Sequence, residues 1–308
     1  TTIDNTTSFK TEGVTNFQEF YRDCELLTQV PFMDTSSATN ILGMFQNCRL
    51  MTALPDFDFG APATLNKAFY GLWIVTDVSN ITIDTSNATD FSSMFFSCRA
   101  MTNCFDLDMS SANAGAHLFR DCQNLLAIPT NPQGGVIDTS GISVFDQMFR
   151  DCRDITVMPT INTTLGQSFL RTWNGCWSLL EMPLVDTSSA TTVSNAWSTC
   201  KSLSVFPEMD FSSCTNFESA WHSCSLNMTS IENILKSLVA TNEIELTTSI
   251  GGNPGSGYTP SVGKSSWTTN PDPTRDALTN YNILTYPLGD AVPNTALTGR
   301  GWTITTRA

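Results

Sequence analysis

The sequence predicts an α/β repeat solenoid in which about nine units of 24 residues stack on one another. Three observations predict this fold. Cysteines recur every 24 residues, an aromatic residue stands three positions before each such site, and the two halves of each unit have different hydrophobic periods. One unit of this size cannot bury its own apolar face, so consecutive units must stack.

The cysteines set the register of the repeat. We number every unit from one reference position, which holds cysteine in eight units and leucine in one. Two residues are inserted between the third and fourth reference positions, and six between the fifth and sixth. The reference positions of units 1 to 9, here called the cysteine column, are Cys24, Cys48, Leu72, Cys98, Cys122, Cys152, Cys176, Cys200 and Cys224.

An aromatic side chain occupies position −3, three residues before the reference position, in all nine units. Such a recurrence predicts a buried row of rings along the stack. This aromatic column consists of Tyr21, Phe45, Phe69, Phe95, Phe119, Phe149, Trp173, Trp197 and Trp221.

Each unit is expected to contain a short helix, a short strand and a turn. Apolar residues at −7, −4, −3 and 0, such as Phe91, Met94, Phe95 and Cys98, lie on one face of a helical turn. The segment LTQVPFMD of unit 1 reads as a brief strand that tolerates proline. DTSSATN follows it and has a turn composition, because Asp and Ser side chains bond nearby backbone amides.

The repeat resembles the BspA-like leucine-rich repeats of bacterial, protist and phage surface proteins. The resemblance rests on a pattern of the form MFxxCxxLTxxP with DTSS connections, as in ATDFSSMFFSCRAMT and ATNILGMFQNCRLMTALP. It covers about three quarters of the chain and implies a right-handed, leucine-rich-repeat-like coil. Known members of the family act mostly in adhesion and surface recognition, so the resemblance implies the same class of role.

Three segments are expected along the chain. Residues 1–13 read as a partial N-terminal unit or the junction to a further domain, and residues 14–240 as the solenoid. SIENILKSLVA, residues 230–240, has helical periodicity and would cover the last coil. Residues 241–308 differ in composition and predict a small C-terminal cap domain whose final RGWTITT contributes a strand.

Composition excludes several classes of function. The chain has 29 Asp and Glu against 15 Lys and Arg, a formal net charge of −14, which argues against binding the phosphate backbone of nucleic acids. No stretch approaches 18 consecutive apolar residues, so no membrane span is expected.

The cysteine column admits three interpretations. Because equivalent positions of stacked units lie about 5 Å apart, neighbouring cysteines could form disulfides. The favoured interpretation is a row of small, buried, reduced thiols, since Leu72 replaces one cysteine without leaving an obvious neighbour in need of a disulfide partner. Metal binding is the third, although the CxxC and Cys/His pairs of zinc sites are absent. Cys104 and Cys214 lie off the column, too far apart to bridge.

Aspartates recur in the turns with the same period. They are expected to form Asx-turns, in which each carboxylate accepts hydrogen bonds from nearby amides. Ca²⁺ held between coils is the alternative, because rows of oxygen ligands suit a hard cation. This aspartate row consists of Asp34, Asp58, Asp84, Asp108, Asp138, Asp186 and Asp210, with Asn162 standing in once.

Catalysis finds little support in the sequence. The two histidines, His117 and His222, occupy non-equivalent positions in distant units, whereas a catalytic triad needs base and nucleophile within hydrogen-bond reach. No phosphate-binding, dinucleotide-binding or HExxH motif occurs. We therefore expect a protein that is not an enzyme and needs no cofactor, Ca²⁺ excepted.

A rigid, repetitive surface favours recognition over catalysis. We expect an extracellular, cell-surface or virion-surface recognition module, either an adhesin or the receptor-binding part of a phage tail fibre. Its partner would be a protein or glycan of a host or neighbouring cell. The alternative is a structural subunit of a filament or virion that self-associates through its N-terminal end. Candidate contact residues are Trp73, Trp177, Asp77, Glu181, Asn131 and Gln133.

Overall fold

The computed structural model describes residues 9–128, 137–239, 247–249 and 303–305. Its regular elements are few and short. They are β1 (Asp58–Phe59), β2 (Thr82–Ile83), α1 (Met228–Val239), β3 (Thr247–Ser249) and β4 (Thr303–Thr305). β1 pairs in parallel with β2, and β3 pairs in parallel with β4.

Equivalent positions of adjacent units are paired in parallel. Besides β1 and β2, ten isolated bridges join residues that are 24 or 26 positions apart, such as Asn16 with Asn40 and Thr64 with Asp90. The larger separation occurs where the two-residue insertion intervenes. The units therefore lie side by side in register, and each repeat position forms a column along the stack.

The segment that was expected to be a short helix is a series of tight turns instead. In all nine units the residues at −5 and −1 have positive φ, between 53° and 78°, which a right-handed helix does not allow. The helix prediction for these segments is wrong. The residues concerned are Glu19, Gly43, Lys67, Ser93, His117, Gln147, Arg171, Asn195 and Ser219 at −5, and Asp23, Asn47, Gly71, Ser97, Asp121, Asp151, Gly175, Thr199 and Ser223 at −1.

Hydrogen bonding between units explains this conformation. In a helix every N–H would bond the carbonyl four residues earlier. Here alternate N–H groups leave the unit: Tyr21 N–H donates to the carbonyl of Met44 at 2.9 Å, whereas Arg22 N–H donates back to Glu19 at 3.0 Å. The same alternation recurs along the stack. The carbonyls that accept between units face the preceding unit, and the N–H groups that donate face the following one.

The aromatic column lies in the core. All nine of its side chains are buried, Tyr21 at 5% exposure and the others at 1% or less. Phe69 stacks on Phe95 with ring centroids 5.5 Å apart, and Trp173 stacks on Trp197 at 5.4 Å. The rings stack from Tyr21 to Phe149 and again from Trp173 to Trp221.

Each thiol of the cysteine column bonds to the preceding unit, except at the first unit. The Sγ of Cys122 donates to the carbonyl of Phe95 at 3.0 Å, and the Sγ of Cys200 donates to that of Trp173 at 3.0 Å. Five further thiols make the equivalent bond, namely those of Cys48, Cys98, Cys152, Cys176 and Cys224. Cys24 is exposed, contrary to the expectation of one inward-facing thiol per unit. Among the described residues no unit precedes the first one, so no carbonyl is positioned there to accept from the Cys24 thiol.

The helix predicted for residues 230–240 is present as α1. The Asn227 side chain caps it by accepting from Ser230 N–H at 2.9 Å. Ile231 and Ile234 are buried. Ser230 Oγ and Ser237 Oγ accept backbone N–H groups of unit 8, at 2.8 and 2.9 Å. Thus α1 covers the strand segment that follows Cys200.

The two predicted terminal segments lie mostly outside the described residues. Of the segment 1–13, residues 9–13 are described; of the cap domain 241–308, only β3 and β4 are. β4 falls within the RGWTITT segment for which a strand was expected. The described helix, α1, has 12 residues, too few to cross a membrane.

Removing a thiol from inside the stack should cost more stability than removing the exposed one. We expect Cys122→Ala to lower the free energy of unfolding by about 1–3 kcal/mol, because a hydrogen bond is lost and a small cavity remains. Cys24→Ala should change it by less than about 0.5 kcal/mol. Urea unfolding of both variants measures the difference, and equal losses would contradict the role given to the inter-unit thiol bond.

Candidate binding surface

Two tryptophans at position +1, the half-buried Trp73 and the exposed Trp177, are each held between two cations. Trp73 lies 4.6 Å from the guanidinium carbon of Arg49 and 4.9 Å from that of Arg99. Trp177 lies 4.3 Å from the guanidinium carbon of Arg153, as measured to the ring centroid. On its other side stands Lys201 Nζ, at 3.6 Å.

These contacts change how Trp73 and Trp177 can bind. In each case the cations come from the two flanking units, so both faces of the indole ring are covered. A sugar could not stack on either face without displacing a cation. A partner can therefore contact only the edge of each ring and the charges beside it. Trp177 is 36% exposed.

The positive charge of the described residues is concentrated in the tight-turn segment and at position +1. Of their eleven Lys and Arg residues, nine lie between positions −5 and +1, and the strand and aspartate-turn positions carry none. Some are paired: Arg49 contacts Glu25 at 3.3 Å, and Arg99 contacts Asp121 at 2.9 Å. Burial alone would raise the pKa of Asp121, but hydrogen bonds from Gln123, Arg99 and Ser97 lower it below the usual value.

The strand positions carry the predicted acidic contact residues, Asp77 and Glu181, both exposed at +5. Asp77 pairs with Asn103 along the stack. Its carboxylate accepts the N–H of Ser79 at 2.8 Å, and this bond lowers its pKa. Asn131 and Gln133, the candidates in the six-residue insertion, lie outside the described residues.

Exposed apolar side chains surround Glu181. Val157 and Val205 pair with it from the two neighbouring units, and they are 71% and 39% exposed. Leu180 and Leu184 of the same unit are 54% and 67% exposed. We call Val157, Leu180, Leu184 and Val205 the apolar patch. These four residues were not predicted from the sequence, although aligned units show apolar residues here at +4, +5 and +8, positions that are polar in most other units.

The aspartate row forms local turns. Asp84 Oδ1 accepts the backbone N–H of Ser86 at 3.0 Å and its hydroxyl at 2.6 Å. Every other member of the row except Asp58 also accepts the N–H two residues later, as does Asn162. Within the described ranges, no group of three His, Cys, Asp or Glu side chains is placed to hold a metal ion. Calcium binding at this row stays a prediction.

The Asp84 turn makes stability depend on pH. Hydrogen bonds from Ser86 lower the Asp84 pKa, so the carboxylate stabilises the fold above its unfolded pKa of about 3.9. That contribution is lost as the pH falls through the lower, folded value. Ser86→Ala should therefore reduce stability at pH 7, and its difference from wild type should shrink towards pH 2. Chemical denaturation across this range measures it, and a difference that grows on acidification would contradict the assignment.

The buried thiols are unpaired, and burial raises the pKa values of several of them. All ten cysteines lie in the described residues and all are unpaired. Burial raises the pKa of the Cys48 and Cys98 thiols to about 12, and it raises that of Cys122 well above the usual value. Because the thiolate is the nucleophile and metal ligand, these groups are poor candidates for chemistry at neutral pH.

Thiol labelling should single out Cys24. In the folded protein at pH 8, we expect Cys24 to react rapidly with a chromogenic disulfide reagent, the partly exposed Cys104 more slowly, and the eight buried thiols only on unfolding. Cys24→Ser should abolish the fast phase, while Cys122→Ser leaves it intact. Two or more fast thiols in the wild-type protein would show that the cysteine column is more open than the structure indicates.

Among the described residues, neither histidine is hydrogen-bonded to both a nucleophile and a carboxylate. His117 is half-buried, and burial lowers its pKa, aided by the nearby charge of Arg120. His222 Nδ1 lies 3.0 Å from the hydroxyl of Ser223, the next residue in the chain. In the part of the chain that is described, no carboxylate is hydrogen-bonded to His222 as a triad would require.

Comparison with known proteins gives a family without an assigned activity. The family described as Mycoplasma protein of unknown function, DUF285, matches residues 2–131 and 63–160. Together these ranges span residues 2–160, which is 159 of the 308 residues. No curated protein matches the chain.

Proposed function

Because this chain belongs to the family of Mycoplasma proteins of unknown function, DUF285, whose description assigns no activity, we propose a function from its surface: a non-enzymatic, extracellular recognition and adhesion module. In this proposal the stacked units form a right-handed, leucine-rich-repeat-like solenoid. The resemblance of the repeats to the BspA-like surface proteins supports both the fold and the location, on a cell or virion surface.

The apolar patch is the observation that carries this proposal. Its four side chains are between 39% and 71% exposed and belong to three adjacent units. Single exposed apolar residues are ordinary, but clustered ones on a folded surface mark sites of interaction. With Glu181 at their centre they combine an apolar contact area with one charge that fixes orientation, a composition that suits the surface of a protein partner.

The backbone beneath the patch is fixed before any partner binds. Leu180 N–H donates to the carbonyl of Thr156 in the preceding unit, and Val205 N–H donates to Leu180. Between the exposed positions, Leu179 and Met182 are buried in the core. A surface held in this way loses little conformational entropy on binding, which favours affinity.

A structural subunit is the alternative, and the first unit favours it. Phe20 and Leu26 are 46% and 68% exposed there, and the exposed Phe9 lies edge-on to Phe20 with ring centroids 6.4 Å apart. The carbonyls of Gln18 and Phe20 occupy the positions that accept inter-unit hydrogen bonds elsewhere in the stack, and no described residue donates to them. Self-association through this end would cover both the apolar side chains and the carbonyls.

Adhesion can be tested with charge substitutions inside and outside the patch. Beads coated with the chain should adhere to cultured epithelial cells, and Leu180→Glu/Val205→Glu should reduce adhesion at least tenfold, or by about 1.4 kcal/mol or more. The matched control is Leu50→Glu/Ile74→Glu, at side chains that are 44% and 42% exposed in units 2 and 3. It should leave adhesion within about twofold of wild type.

Two results would contradict the proposal. One is equal adhesion by the patch variant and the wild type. The other is wild-type adhesion no greater than that of albumin-coated beads. In the second case, a molar mass that rises with concentration in light scattering and falls in Phe20→Glu would favour the structural subunit.

A further inference from the structure

Position +1 carries a regular alternation of charge. Units 2, 4, 6 and 8 have a cation there, whereas units 3, 5 and 7 have an uncharged residue. The cations are Arg49, Arg99, Arg153 and Lys201, and the residues between them are Trp73, Gln123 and Trp177. We call these seven residues the cation row.

The geometry of the stack turns this alternation into a fixed spacing. Parallel neighbours lie about 4.8 Å apart, so cations in every second unit lie about 10 Å apart. The contacts agree, since Arg49 and Arg99 stand 4.6 and 4.9 Å from the Trp73 centroid, on the two sides of the ring. Four cations at this spacing extend over about 29 Å.

The tryptophans hold the charges in place. Each cation of the row lies over a ring, at 3.6 to 4.9 Å from the ring centroid. A long basic side chain normally loses rotamer entropy when it binds a ligand. Contact with the ring has already restricted these side chains while leaving their charge in place, which lowers the cost of binding.

Carboxylates beside the row modulate it without cancelling it. Glu25 contacts Arg49 and Asp121 contacts Arg99, while Asp154 is exposed next to Arg153. The Arg49 and Glu25 side chains are 36% and 51% exposed, so that pair is of the weak surface type. An incoming anion that contacts several cations at once can replace that pair. The Arg99 pair is held more firmly, because the Asp121 carboxylate also accepts hydrogen bonds from Ser97 and Gln123.

We propose that the cation row binds a linear sulfated polysaccharide. A polymer whose sulfate groups recur at a constant interval can match a row of cations with a constant interval, whereas the surface of a globular protein without repeats offers no such regular spacing. Nucleic acid fits less well, because its phosphates follow one another more closely, about 3.4 Å apart along each strand of a duplex.

Heparin, a sulfated polysaccharide, is the probe. We expect the full chain to bind heparin in low-salt buffer by calorimetry, with an affinity that falls steeply as salt is added. Arg153→Gln/Lys201→Gln should weaken binding at least tenfold and lower the salt slope by about two. The control Lys67→Gln/Arg171→Gln removes the same charge from position −5 and takes the net charge from −14 to −16 in the same way. It should change affinity less than twofold.

Two further measurements test the spacing and the tryptophan contact. A heparin disaccharide should bind much more weakly than the polymer, because it cannot reach successive cations of the row. Trp177→Ala should weaken polymer binding without removing a charge, while its far-ultraviolet circular dichroism stays that of the wild type. Leu180→Glu/Val205→Glu should bind heparin nearly as well as wild type, which separates this surface from the apolar patch.

The proposal fails if the wild-type chain does not bind heparin at low salt. It also fails if both double variants lose affinity equally, since binding would then follow net charge alone. Equal affinity for the disaccharide and the polymer would likewise contradict a periodic site.

Discussion

The hydrogen bonds between units at the tight turns are the constraint on which the rest of the structure depends. Alternate N–H groups, such as those of Tyr21 and Asp23, donate to the next unit, and the N–H groups between them close turns within the unit. Inside the stack this division pairs the backbone groups of a buried segment, as burial requires. The residues at −5 and −1 have positive φ in all nine units, and the segment therefore is not helical.

The same register determines what each side chain meets. Because equivalent positions are adjacent, the Cys122 thiol donates to the carbonyl of Phe95, and the rings of the aromatic column stack on one another, as Phe95 does on Phe119 with centroids 5.6 Å apart. On the surface the register produces rows instead of isolated groups. The cation row and the apolar patch both arise in this way, on a chain whose overall charge is strongly negative.

The two surfaces suit different partners. The apolar patch offers exposed valine and leucine around Glu181, which suits a protein surface, whereas the cation row offers separated charges, which suits a polymer of sulfate groups. A recognition module that carries both could attach to a polysaccharide coat and to a protein on the same cell. The rigidity shared by the two surfaces comes from the stack beneath them.

The sequence by itself determined the repeat period, the residues of the cysteine and aromatic columns and the helix at residues 230–240, because these depend on local patterns that recur. It could not separate a helical turn from the tight turns, since both place −7, −4, −3 and 0 on one face. Only the tertiary structure decided that alternate N–H groups bond the next unit, that Cys24 is exposed and that cations cover both faces of Trp73 and Trp177. Each of these depends on the neighbouring unit, which lies about 24 residues away in the chain but in direct contact in the fold.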